Sequence, residues 1–140
     1  MVRNVMGRDE TGAAAVEFAI LTPVFLLMLV GMIAYGIYFG AAHSVQQLAA
    51  DAARTSVAGL SPGERDELVT GFISRNAGDY VLIDPQKLSV SIGDKPDDPD
   101  QYRVTVSYDA SALPIWNLDV PLPLPGRTIT YSSVVRRGGV

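Results

Sequence analysis

Cysteine is absent from this chain, so neither a disulfide framework nor a thiolate metal site is available to it. Histidine occurs once, at His43, and no G-x-S-x-G, P-loop or H-E-x-x-H spacing is present. The serines fall largely in strand-like alternation, the pattern of a solvated sheet face. An enzyme would therefore have almost nothing to work with, and no enzyme, cofactor or metal is expected. Acidic residues outnumber basic ones, 15 to 11, and the net charge of -4 argues against a nucleic-acid partner. The acids Asp94, Asp97, Asp98 and Asp100 lack the D-x-D-x-D-G spacing of a calcium loop and are interrupted by prolines, so they read as a solvated turn.

Charge is also missing from Phe18 to Ala42, and here the absence is informative. These 25 residues hold Thr22 and Pro23 as their only breaks. As a helix they would extend about 37 Å, enough to cross a hydrocarbon core of about 30 Å with some tilt. A cleaved secretory signal, with an apolar region of about 7–15 residues, would be shorter. Arg3 and Arg8 precede the run, whereas no Lys or Arg follows it until Arg54. That asymmetry places the N-terminus in the cytoplasm and the rest of the chain outside. Tyr35, Tyr38 and Phe39 suit an interfacial aromatic belt at the outer end.

The helix is expected to start near Ala13, to kink at Pro23, and to leave the bilayer as an amphipathic stalk ending at Gly59. Val45, Leu48, Ala49, Ala52, Ala53 and Val57 form the stalk's apolar stripe, and Asp51 and Arg54 can pair on its wet face. Ser61, Pro62 and Glu64 spell a second helix start with a capping box, and Gly78 ends that helix. Three segments then alternate with period two: Leu88–Ile92, Tyr102–Tyr108 and Ile129–Val135. The expected fold is α+β: a long N-terminal transmembrane helix extended into a stalk, a second short helix, and an antiparallel sheet of about three strands. The divisions are a leader at 1–12, span and stalk at 13–59, and a head at 60–140. Between the last two strands, four prolines among apolar residues exclude a central strand. This loop is expected to fold back with Trp116 capping the core; left open, it would form a contact patch.

Two features of the helix carry alternatives. Gly36-Ile-Tyr-Phe-Gly40 is a G-x-x-x-G, which lets a second helix approach closely but also arises by chance in apolar spans. Glu17, at the cytoplasmic edge of the run, is either an ordinary first-turn acid favoured by the helix dipole or a group that needs a cationic mate. A chain cut after Gly12 would supply one, because Ala13 would then carry an ammonium about one turn before Glu17. Between neighbouring subunits, such a pair would set register.

The stretch Gly12-Ala13-Ala14-Ala15-Val16-Glu17-Phe18-Ala19, with Pro23 and the apolar run behind it, resembles the TadE-like family of bacterial pseudopilins. The likeness continues through Gln46-Gln47-Leu48-Ala49-Ala50-Asp51-Ala52-Ala53-Arg54. It implies a place in the tight-adherence (Flp-type) pilus system, related to type IV pili and type II secretion. It also implies a prepilin-like signal cut between Gly12 and Ala13 by a membrane prepilin peptidase, with Glu17 as fifth residue of the mature chain. The leader departs from the pattern in one respect: Asp9 and Glu10 offset Arg3 and Arg8.

The resulting expectation is a minor pilin or pseudopilin in the bacterial inner membrane with its head in the periplasm. Its partners would be lipid, other pilin subunits and the peptidase. Glu17 would serve assembly, Gly36 and Gly40 helix packing, and Trp116 head contacts. A permanently anchored periplasmic binding module, or an anchored enzyme, is the alternative.

Overall fold

The computed structural model describes residues 10–95, 97–118 and 121–136. Arg3, Arg8 and Asp9 of the expected leader lie outside the described residues. The chain divides into two compact units, Met1–Ala34 and Tyr35–Val140.

Helix α1 spans Glu10–Thr55 and begins three residues before the expected start at Ala13. Once Ala13–Ala15 have nucleated a helix, adding a residue at its end is cheap, and Gly12 opposes this by only about 1 kcal/mol. The helix continues through Pro23, which lacks the N–H that would bond the Ala19 carbonyl. One position earlier, the Thr22 hydroxyl donates to the Phe18 carbonyl at 2.7 Å. In the first unit the apolar side chains Phe18, Ile20, Phe25, Met28 and Met32 are all exposed. A helix apolar on every side needs a surrounding other than water.

In the second unit the helix buries a stripe. Ala41, Ala42, Val45, Leu48, Ala49, Ala52 and Ala53 are buried at helical spacing, and Ser44 and Ser56 join them. Val57, expected on this stripe, is instead exposed. The α-helix gives way at Ser56 to a 3-10 turn through Ala58, which changes the angular step and turns Ser56 inward in its place. The Ser56 hydroxyl donates to the Ala53 carbonyl at 2.6 Å, which makes its burial affordable. At Gly59 the backbone meets the next helix closely: a Cβ there would stand 2.7 Å from Arg65 Cγ and 2.9 Å from Arg65 N.

Helix α2 covers Pro62–Asn76, with Ser61 as its N-cap and Pro62 at its first position. The Ser61 hydroxyl accepts from the Glu64 N–H at 3.2 Å. Glu64 reaches back one residue further than a capping box requires, accepting from the Leu60 N–H at 2.8 Å. Val69 and Ile73 are buried on its inner face, with Leu68 and Phe72 half-buried.

Strands β1 (Leu88–Lys95), β2 (Asp98–Asp109) and β3 (Thr128–Arg136) form an antiparallel sheet in the order β1-β2-β3. The three alternating segments therefore become its strands, within a fold of the expected α+β class. Tyr102, Val104, Val106 and Tyr108 of the central strand are all buried, as its period-two pattern requires. On the opposite face, hydroxyl pairs cross the ladder: Thr105 with Ser132 at 2.7 Å and Ser107 with Thr130 at 2.9 Å. The edge strands are less covered, with Val90 and Tyr131 partly exposed.

The acidic turn is tighter than expected, because Lys95 already pairs with Asp98 after a bulge at Asp94/Lys95. Asp98 shapes the return by accepting from the Asp100 N–H at 3.1 Å and the Gln101 side-chain amide at 2.6 Å. Among its described residues the Pro-rich connection has no strand. It forms 3-10 turns at Ala110–Ala112 and Pro114–Asn117, and residues 121–127 lead irregularly into β3.

Candidate functional site: the helix and its covered end

The residues expected to act in assembly are distributed along α1. Gly12, Ala13 and Glu17 lie near its start, and all three are exposed. Among the described residues Glu17 has no ion-pair partner; the pair Arg54–Asp51, at 2.6 Å, is the one found there. Gly12 and Ala13 stand within the helix, one turn and more before Glu17.

Gly36 and Gly40 have different surroundings. No atom lies within 4 Å of a Cβ built on Gly36, so its surface is open to another helix. At Gly40 the corresponding position is 3.2 Å from Leu82 Cδ1. The close approach that this glycine permits is thus used within the chain. Leu82 has φ 64, the left-handed region that a bulky side chain rarely adopts. Tyr108 holds it there: its hydroxyl donates to the Leu82 carbonyl at 3.1 Å and accepts from the Asp84 N–H at 3.4 Å. The sequence carries no local sign of this, because the clamp joins a strand to a turn 26 residues away.

Trp116 is half-buried in the folded-back loop, where Leu113 and Ile115 are fully inside. Its indole N–H donates to the Ala110 carbonyl at 2.6 Å, and the Arg127 guanidinium lies 5.0 Å from its ring centre. The same turn is closed by the Ala110 N–H bonding the Arg127 carbonyl at 2.7 Å. Trp116 is therefore held by its own loop, with one side reaching solvent.

A feature absent from the sequence reading is an open groove of about 630 Å³ whose lining includes Gln47, Asp51, Arg54, Phe72, Tyr80 and Val81. Its central carboxylate is occupied twice. Asp51 takes Arg54 on one oxygen and the Tyr80 hydroxyl, at 2.8 Å, on the other. Burial, and then the bond to Asp51, push the Tyr80 phenol up to about 12. The Tyr102 phenol is likewise raised, chiefly by burial and by its 2.7 Å bond to Asp66. At the sheet's other end the Ser111 side chain, followed by its backbone N–H, bonds Asp109 and lowers its carboxyl below the usual range. Among the described residues no group of three or more His, Asp or Glu is placed to hold a metal ion.

These elements define a class: an α+β unit carried on one helix long and apolar enough to cross a membrane. Residues 12–54 match the family model described as TadE-like protein, the segment that carries the resemblance seen in the sequence. No curated protein and no solved structure gives a significant match. The matched segment takes in most of the helix that is long and apolar enough to cross a membrane.

Proposed function

We propose that this chain is a minor pilin or pseudopilin, a structural subunit that joins a Flp-type pilus or related secretion apparatus through its helix. The observation that carries this reading is the pairing, inside the TadE-like segment, of an exposed Glu17 with an apolar helix that its own chain leaves uncovered. Eleven large apolar side chains between Val16 and Ile33 are exposed. At about 1.5–3 kcal/mol for burying each, half-burying them is worth on the order of 10 kcal/mol, comparable to a whole domain's stability. Lipid supplies that surrounding before assembly, and neighbouring pilin helices supply it afterwards.

In this reading the leader is removed after Gly12 by a prepilin peptidase in the inner membrane, the head lies in the periplasm, and the Ala13 amine of one subunit meets Glu17 of another. An ion pair in a dry bundle fixes register because misalignment leaves a charge uncompensated. Gly36 is the open small residue at which a neighbouring helix can approach closely. Mass spectrometry of the mature chain, from cells with and without the peptidase, tests the cut: the expected first residue is Ala13. A chain that keeps Met1, or one that begins beyond Ala42, contradicts it. Glu17→Ala should abolish incorporation into pili while the head stays folded, and normal pili in that variant would remove the role assigned to the carboxylate. The groove at Asp51 and Tyr80 favours a second reading, a permanently anchored binding module, for which uncut protein dispersed in the membrane would be the sign.

A further inference from the structure

Two loops of the head are held at the level where the apolar run of α1 ends. The first is the turn after α2, where Leu82 Cδ1 packs on Gly40. The second is the Pro121–Pro125 stretch, where the Pro123 carbonyl accepts a hydrogen bond from the Tyr35 hydroxyl. Tyr35 and Gly40 both belong to the uncharged run that ends at Ala42, beside the aromatic residues Tyr38 and Phe39.

Both loops present apolar groups outward. Val81 is 72% exposed and Leu82 40%, in spite of the clamp that fixes Leu82 in an unfavourable backbone region. Pro121 and Pro123 are exposed, and Leu122 and Leu124 are half-exposed. Neither Tyr80–Ile83 nor Pro121–Pro125 contains a charged residue. The three prolines also remove N–H groups that would otherwise need a partner away from water.

We propose that these two loops form a membrane-facing base, with Val81, Leu82 and the Pro121–Pro125 stretch seated in the interfacial region of the bilayer. The occupant is lipid because the patch is continuous with the end of the spanning segment and shares its uncharged, aromatic-flanked chemistry. This inference rests on the reading of α1 as a membrane span, though not on assembly into a pilus.

The absence of cysteine makes the test direct. Single variants Val81→Cys, Leu122→Cys, Glu67→Cys and Met28→Cys of the full chain are labelled with nitrobenzoxadiazole and reconstituted in phosphatidylcholine vesicles containing nitroxide-labelled lipid. Glu67 is an exposed position on α2, and Met28 an exposed position within the apolar run. Labels at 81 and 122 should lose about half or more of their emission to a shallow nitroxide, as expected for side chains at the headgroup–acyl boundary, while the label at 67 loses little. Quenching at 28 but not at 81 or 122 overturns the base and leaves the span standing. Labels at 81 and 122 shielded from aqueous iodide yet unquenched by lipid would show a protein covering the patch, which also overturns it. No quenching at 28 by a nitroxide placed deep in the acyl chain removes the span, and the base with it.

Discussion

Residues 10–34 and 35–55 belong to the same helix, yet their apolar side chains meet different surroundings. In the first stretch Phe18, Phe25 and Met28 stand exposed. In the second, a stripe of small residues, Ala41, Ala42, Ala49, Ala52 and Ala53, is buried with Val45 and Leu48 in the core of the larger unit. Side-chain size goes with the difference. Large residues on every side of a helix maximise contact with a fluid apolar medium, whereas alanines on one side allow other elements of the chain to come close. Gly36 and Gly40 repeat the contrast within four residues, one open and the other covered by Leu82.

Substitutions on either side of this division should behave unequally, and the largest contrast lies in aromatic truncation. Tyr108→Ala removes a ring buried in the central strand together with the clamp on Leu82, and should destabilise the head by about 3–5 kcal/mol. Phe25→Ala, in the uncovered stretch, should leave the head's unfolding curve unchanged. Denaturation in detergent followed by Trp116 fluorescence measures both, and equal losses would contradict the division.

A smaller effect is expected at the corner joining α1 to α2. Gly59→Ala forces Arg65 backbone and side chain to shift, with an expected loss of about 1–3 kcal/mol in the same measurement. Wild-type stability there would show that the corner opens freely.

The buried phenols give the head a dependence on alkaline pH. A tyrosine in the unfolded chain ionises near 10, while Tyr80 is held up to about 12 and Tyr102 is raised in the same direction. Above pH 10 the unfolded chain therefore binds fewer protons than the folded one, and stability falls as pH rises through the Tyr80 window toward 12. Below pH 10 their contribution is fully present. The double variant Tyr80→Phe, Tyr102→Phe should flatten the decline, which urea midpoints taken across that range would record. The smallest effect belongs to Arg54→Ala: its pairing with Asp51 is exposed on the arginine side, so the loss should be about 0.2–1 kcal/mol and should shrink further in high salt.

Much of the fold was legible because its signals are local. Alternation at Tyr102–Tyr108 reports a strand with one buried face, Ser61-Pro62 reports a helix start, and the prolines after Leu113 exclude a strand whatever surrounds them. The errors came at boundaries where local rules compete. Val57 continues the apolar period on paper, but the helix tightens at Ser56. Asp98 reads locally as part of a solvated turn, yet its side chain organises the start of β2.

By itself the sequence determined the apolar run, the TadE-like segment and the order of elements, since composition and periodicity act within a few turns of chain. Only the tertiary structure decided what each apolar residue touches. The seat of Leu82 on Gly40, the bond from Tyr35 to Pro123 and the capture of Asp51 by Tyr80 all join residues far apart in the chain. Such contacts form because the closed fold pays their ordering entropy collectively, and no short stretch of sequence contains both partners.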